Sequence, residues 1–213
     1  MMSKFYNDFK YLTYAIFHPF DAFYEIKWRK KGNMLLATIL LLLYGITKVL
    51  CDNYNGFIVN DVLLFKENSL ITILITIAPL MLFVISNWSV STLYNGKAKV
   101  KDLYLLICYS IFPIIVLNLL SIPLSNIIIM EEVPLYLSFK ILGVVWFCFL
   151  MFTGLITIQE FTIQENIMTL LATLVSAIAI IFLLGLYFFL MEQVVSFVIT
   201  IIKEIVTMGG VGI

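Results

Sequence analysis

Two apolar runs of membrane-spanning length, joined by a short basic turn, constrain everything else this 213-residue chain can fold into. Leu70–Ser91 holds 22 residues and Leu103–Ser125 holds 23, and neither contains a charged side chain. A helix rises about 1.5 Å per residue, so roughly 20 residues cross a hydrocarbon core about 30 Å thick. The turn between the runs carries Gly96, Lys97, Lys99, Lys101 and one acid, Asp102. Lysine and arginine collect in short cytoplasmic loops, so the turn is expected on the cytoplasmic side. Six Lys/Arg residues precede the first span, whereas the loop 51–69 has one lysine against Asp52, Asp61 and Glu67. This places the amino terminus on the cytoplasmic side as well.

Composition excludes the other broad classes. The chain is 62% hydrophobic and 12% charged, with mean hydropathy +1.08. Soluble domains are about a quarter charged. Net formal charge is zero, which argues against a nucleic-acid partner. Cys51, Cys108 and Cys148 lie far apart and read as packing residues. No cleavable signal peptide is expected, because the first apolar run begins only at Met34.

The predicted architecture is all-α: a polytopic bundle of five transmembrane helices over 34–191, with spans at 34–50, 70–91, 103–125, 141–158 and 167–191. Residues 1–33 form an amino-terminal, cytoplasmic interfacial segment. Phe5, Phe9, Leu12 and Ile16 recur at helical spacing, His18-Pro19 interrupts, and a second short helix restarts with Asp21 as cap. Trp28 and the Arg29–Lys31 run mark the headgroup level. That segment reads either as a foot packed under the bundle or as a lipid- or partner-docking element. Residues 192–213 form an amphipathic helix and tail on the outer side, with Glu192, Ser196, Thr200, Lys203 and Thr207 on one stripe. The helix is either an extension of the fifth span or an element lying on the outer leaflet. The loop 126–140 is expected outside. The small residues Thr169, Ala172, Ser176 and Ala179 line one face of the fifth span, and Gly143 and Gly154 offer close approach in the fourth.

Chemistry is sparse. The one histidine, His18, rules out a His-rich metal site, and no nucleophile elbow or phosphate loop occurs. No catalytic residue, metal site or cofactor is expected. The repeat Thr157-Ile-Gln-Glu160 and Thr162-Ile-Gln-Glu165 reads as a solvated turn. Asn87-Trp88-Ser89 matches a glycosylation sequon, which the cytoplasmic placement discounts. Asn118, deep in the third span, reads as an interhelical hydrogen-bonding group or as part of a groove shaped by kinks at Pro79 and Pro113. Lys48 and Glu192 fall at similar depths near the outer interface and are expected to pair.

Three blocks carry a family resemblance. They are HPFDAFYEIK (His18, Pro19, Asp21 and Lys27 within it), then Asn87-Trp88 with LYNGK (Gly96, Lys97), Tyr109 and Pro113, and finally TGLITIQEF with QVVSFVITIIKEI. In this order the chain resembles the Yip family of Ypt/Rab-interacting membrane proteins, in its compact bacterial branch. The resemblance implies five spans with a cytoplasmic amino terminus, in the bacterial cytoplasmic membrane, and it makes the quoted residues candidates for interaction. Eukaryotic relatives are trafficking proteins that bind prenylated Rab GTPases. Their long amino-terminal region and DLYGP-type motif have no counterpart here, so a Rab-type GTPase is not expected as partner. Bacterial relatives imply an accessory role beside transporters. The expected function is therefore a non-enzymatic protein, with membrane lipids and a membrane protein or a second copy as partners. The alternative is a lipid- or small-solute-moving protein.

Overall fold

A computed structural model describes residues 2–59 and 68–209. Asp61 and Glu67, counted above toward the outer loop, and the tail 210–213 lie outside the described residues. Among the described residues all regular structure is helical: α1 (Met2–Phe17), α2 (Pro19–Trp28), α3 (Met34–Tyr54), α4 (Ser69–Leu93), α5 (Val100–Ser110), α6 (Phe112–Ile127), α7 (Val133–Gln159) and α8 (Ile163–Gly209), with one 3-10 turn at Met130–Glu132. Five stretches are long and apolar enough to cross a membrane, with α5 and α6 together forming the third. The protein is an all-α, multi-pass integral membrane protein.

The core is centred on α5. All of Leu105–Ile111 are buried, so this helix presents no lipid face along that stretch. Helices α2, α3, α4 and α7 enclose it. It stops at Ile111 because Pro113, at the start of α6, lacks the N–H that would continue the hydrogen-bond ladder. Pro79 and Pro123 lie inside α4 and α6 without ending them. Gly154 is where α7 approaches most closely: a Cβ there would meet the Phe23 ring at 2.9 Å and overlap Leu106. Gly143 is less demanding, since a Cβ would meet Leu117 at an ordinary 3.4 Å.

The elements differ from expectation in two places, and in a third the structure selects between two alternatives. The second helix starts at Pro19 with His18 at its cap position, so Asp21 lies inside the first turn rather than capping it. A proline suits that first position because its missing N–H has no helical partner anyway. Residues 133–140, expected in the outer loop, form the first two turns of α7, started by Pro134 in the same way, and Lys140 rests its ammonium 4.7 Å from the Tyr136 ring. Finally, α8 is continuous through Met191–Glu192, so of the two alternatives residues 192–209 extend the fifth helix. At about 1.5 Å per residue its 47 residues measure roughly 70 Å.

The foot is packed rather than loose. Phe23 and Ile26 of α2 are buried against α7, and Leu12 of α1 is fully buried. Tyr11 donates its hydroxyl to the Ala22 carbonyl at 2.7 Å. Burial, then the nearby Glu25 carboxylate, pushes the Tyr11 phenol above its ordinary range.

Candidate functional site

Helix α7 ends in a corner where parts of the three sequence blocks meet: Lys27, the Asn87 and Gly96–Lys97 stretch, and Gln159–Glu160. Its last residue, Gln159, is 2% exposed and has both ends of its amide engaged. The Ala98 N–H donates to its Oε1 at 3.1 Å, and its Nε2 donates to Asn87 Oδ1 at 3.4 Å. Asn87 in turn donates to Thr173 Oγ1 at 3.1 Å, and Thr173 donates to the Thr169 carbonyl at 2.6 Å. One relay of buried polar side chains thus ties α4, the 94–99 turn, α7 and α8 together.

The turn is shaped to reach this amide. Helix α4 ends with Asn95 in the left-handed conformation, φ 56°, and the Gly96 N–H donates back to the Ser91 carbonyl at 2.7 Å. This is a helix-closing loop in which the residue after the cap turns left-handed. A Cβ on Gly96 would overlap Gln159 Oε1 and the Ser91 carbonyl, so only glycine lets the turn sit against the amide.

Glu160 follows in the left-handed region, φ 60°, and its carboxylate receives Lys97 on one oxygen and Lys27, at 3.5 Å, on the other. The Lys97 hydrogen bond, followed by the charges of Lys27 and Lys97, holds the Glu160 carboxyl below its usual 4.5. Lys27 also donates to the Ile158 carbonyl at 2.6 Å and lies 5.2 Å from the Trp28 ring centroid. An ammonium against the last carbonyls of a helix satisfies groups the helix leaves unpaired and opposes its terminal dipole. Two residues on, Thr162 and Glu165 form a capping box that starts α8: the Thr162 N–H donates to Glu165 Oε2 at 2.8 Å. The two TIQE copies therefore do different work, one ending a helix and one beginning the next; the solvated-turn expectation is corrected for the buried Gln159, while Glu160 is exposed and held by its two lysines.

The remaining candidate residues divide by position. Tyr109, buried in α5, accepts from the Asn33 N–H at 3.2 Å and sets its ring edge-on to Tyr11, joining the foot to the core. Pro113 is buried at the α5–α6 break. His18 stacks on Tyr14 at 4.8 Å, and Asp21 is exposed on α2. Trp88 is exposed on the outside of α4. Asn118 is half-buried, and its main-chain carbonyl accepts from Ser121 Oγ at 2.7 Å. Lys48 pairs with Asp52 at 2.8 Å, one turn along α3, and not with Glu192, which is exposed on α8. An i,i+4 acid is always within reach of a helical lysine, whereas the far half of α8 runs clear of the bundle. Among the described residues no cluster of three His, Cys, Asp or Glu is placed to hold a metal.

Two cavities flank the site. One, about 460 Å³, opens between Trp28, Gly32 and the base of α5 and is rimmed by lysines. The other, about 420 Å³, lies among Pro79, Phe83, Phe147 and Met151 and is almost wholly apolar. Neither Asn118 nor Tyr109 lines it. Sequence reasoning missed Gln159, Glu160 and Thr173. The Thr162-x-x-Glu165 spacing was a usable sign that a helix begins there and hence that Glu160 sits in a tight inter-helix corner.

In comparisons with known proteins, the model of the Yip1 domain matches residues 13–208. No curated protein and no solved structure matches the chain.

Proposed function

The chain belongs to the Yip family, its Yip1 domain covering residues 13–208, and from that membership we propose that it is a non-enzymatic membrane protein that binds and organises partner membrane proteins. Its amino terminus and lysine-bearing turn face the cytoplasm of a bacterial cell, and an accessory role beside a transporter is the setting this suggests. The observation carrying the reading is α8. Every residue from Ile181 to Ile205 is exposed, including Phe182, Phe188, Phe189 and Phe197, while the base of the same helix is pinned through Thr173 to Asn87. A long apolar helix anchored at one end and uncovered along the rest leaves room for a partner helix to pack along it in place of lipid.

The test is mild affinity purification of the full chain from its native membrane, with mass spectrometry of what remains bound. Reproducible recovery of one stoichiometric membrane protein, lost when Phe182, Phe189 and Phe197 are changed together to alanine, supports the reading. Recovery of the chain alone or only with lipid defeats it. A second reading, movement of lipid or a small solute, draws on the apolar cavity beside Pro79. It predicts lipid scrambling in reconstituted vesicles that is abolished by filling the cavity with Leu170→Trp.

A further inference from the structure

The lysine-rimmed cavity carries an inference that does not depend on how α8 is used. Five lysines, Lys27, Lys30, Lys97, Lys99 and Lys101, line about 460 Å³ of space. Two of them are spent: Lys27 and Lys97 hold Glu160. Lys30, Lys99 and Lys101 have no ion pair among the described residues, although each is exposed at the same opening. Asp102, the one acid in the lining, is turned to the backbone, where it accepts from the Lys99 N–H at 3.1 Å. The neighbouring acid Glu25 is likewise taken, by Arg29 and Lys31 at 2.7 and 2.8 Å.

The backbone adds to the field. The cavity lies at the first turn of α5, whose N–H groups and dipole favour an anion. Lys30 follows the Arg29 cap of α2 in the left-handed region, φ 52°, the same helix-closing conformation as Asn95. Lysines gathered in excess over the acids beside them repel one another, so an arrangement of this kind is stabilised by a counter-anion between them.

We propose that this cavity binds the phosphate of an anionic phospholipid headgroup. The location selects a lipid over a soluble anion. The cavity sits at the end of the bundle where α3 and α5 begin and α4 and α7 end, with Trp28 at its rim and Ile26 and Leu105 in its wall. A tryptophan beside lysines at the ends of spans is the signature of the headgroup layer. There a basic pocket between helices meets a ligand whose other end is apolar. Lys27 and Lys97 build the pocket wall, and Lys30, Lys99 and Lys101 neutralise the phosphate.

The experiment uses the purified full chain in mixed micelles supplied with equal phosphatidylglycerol and phosphatidylcholine, with the retained lipids quantified by mass spectrometry. The wild-type chain retains phosphatidylglycerol in excess. The triple variant K30Q/K99Q/K101Q loses that preference roughly tenfold to a hundredfold, because each lysine near a charged headgroup contributes about fivefold. Lys140→Gln, at the opposite end of the bundle, leaves it unchanged. Should the triple variant fail to purify, Lys101→Glu alone is expected to lower the preference by at least about fivefold. Equal retention of the two lipids by the wild type, or an unchanged preference in the lysine variants, overturns the proposal. Displacement of phosphatidylglycerol by millimolar inorganic pyrophosphate does so too, since it assigns the pocket to a soluble phosphate.

Discussion

The Lys27 ammonium donates to the Ile158 carbonyl at 2.6 Å, across 131 positions of sequence, and in doing so closes the end of α7 with a side chain from the amino-terminal foot. With 9% of its side chain exposed, Lys27 is well enough shielded for the contact to matter. Lys27→Met removes the donor while keeping the stem, and is expected to cost about 1.5–3 kcal/mol, the usual range for a hydrogen bond to a charged group. Lys97→Gln, at the exposed side of the same carboxylate, is expected to cost much less, because water and salt screen it. Thermal unfolding of the two variants in detergent checks the order. Equal losses would mean that Lys27 contributes only through Glu160.

Gly96 and Gly185 make a contrasting pair. Gly96→Ala forces the turn off the Gln159 amide and is expected to destabilise by about 1–3 kcal/mol, as overpacking does. A Cβ at Gly185 meets nothing within 4 Å, so Gly185→Ala is expected to be neutral, or stabilising by up to about 1 kcal/mol through helix propensity. Midpoints from the same unfolding assay separate them.

Acid should loosen the corner. The native pKa of Glu160 lies below its unfolded value, so its contribution is fully present above pH 4.5 and is lost as the pH falls through the lower native value. Glu25, lowered chiefly by its hydrogen bond to Lys31, acts in the same direction. Stability measured against pH is expected to decline below pH 4.5, and to decline less steeply in Glu160→Gln. A parallel decline in that variant would remove Glu160 as a cause.

Asn87→Leu and Thr173→Val break the same link of the relay. Thr173→Val is expected to cost about 0.6–2 kcal/mol and Asn87→Leu more, since it also unpairs the buried Gln159 amide, while the double variant costs less than their sum because the two share one interhelical hydrogen bond. Additive losses would show that the two side chains act separately. Protease access to the α7–α8 turn is expected to rise in each variant.

Orientation is open to a labelling test. On a background lacking Cys51, Cys108 and Cys148, Asn95→Cys is expected to react with a membrane-impermeant maleimide only from the cytoplasmic side, and Glu131→Cys only from outside. Reversed labelling would invert the topology.

The spans were legible because a hydrocarbon core sets one dominant requirement, length without charge, and Leu70–Ser91 and Leu103–Ser125 meet it openly. The foot was legible from the apolar spacing around Leu12 and the His18-Pro19 break. The corner was not. Gln159 and Glu160 look like any polar turn until Gly96, Lys97 and Lys27 arrive from 60 to 130 residues away, and no local pattern encodes that meeting. Lys48 misled for a related reason: equal depth in the membrane suggested Glu192, but Asp52 was one turn away on its own helix. The start of α7 was hidden because Glu131, Glu132 and Pro134 resemble loop chemistry, while a proline at a first helical position starts a helix as readily as it ends one.

The geometry of α8 makes it a lever. Its fulcrum is the contact of Thr173 with Asn87, and from there to Gly209 the helix runs roughly 54 Å at its usual rise. A rotation of about 10° at the fulcrum would carry the far tip roughly 9 Å sideways. A small angle at the base of α8 is therefore multiplied along its length into a much larger displacement at the tip.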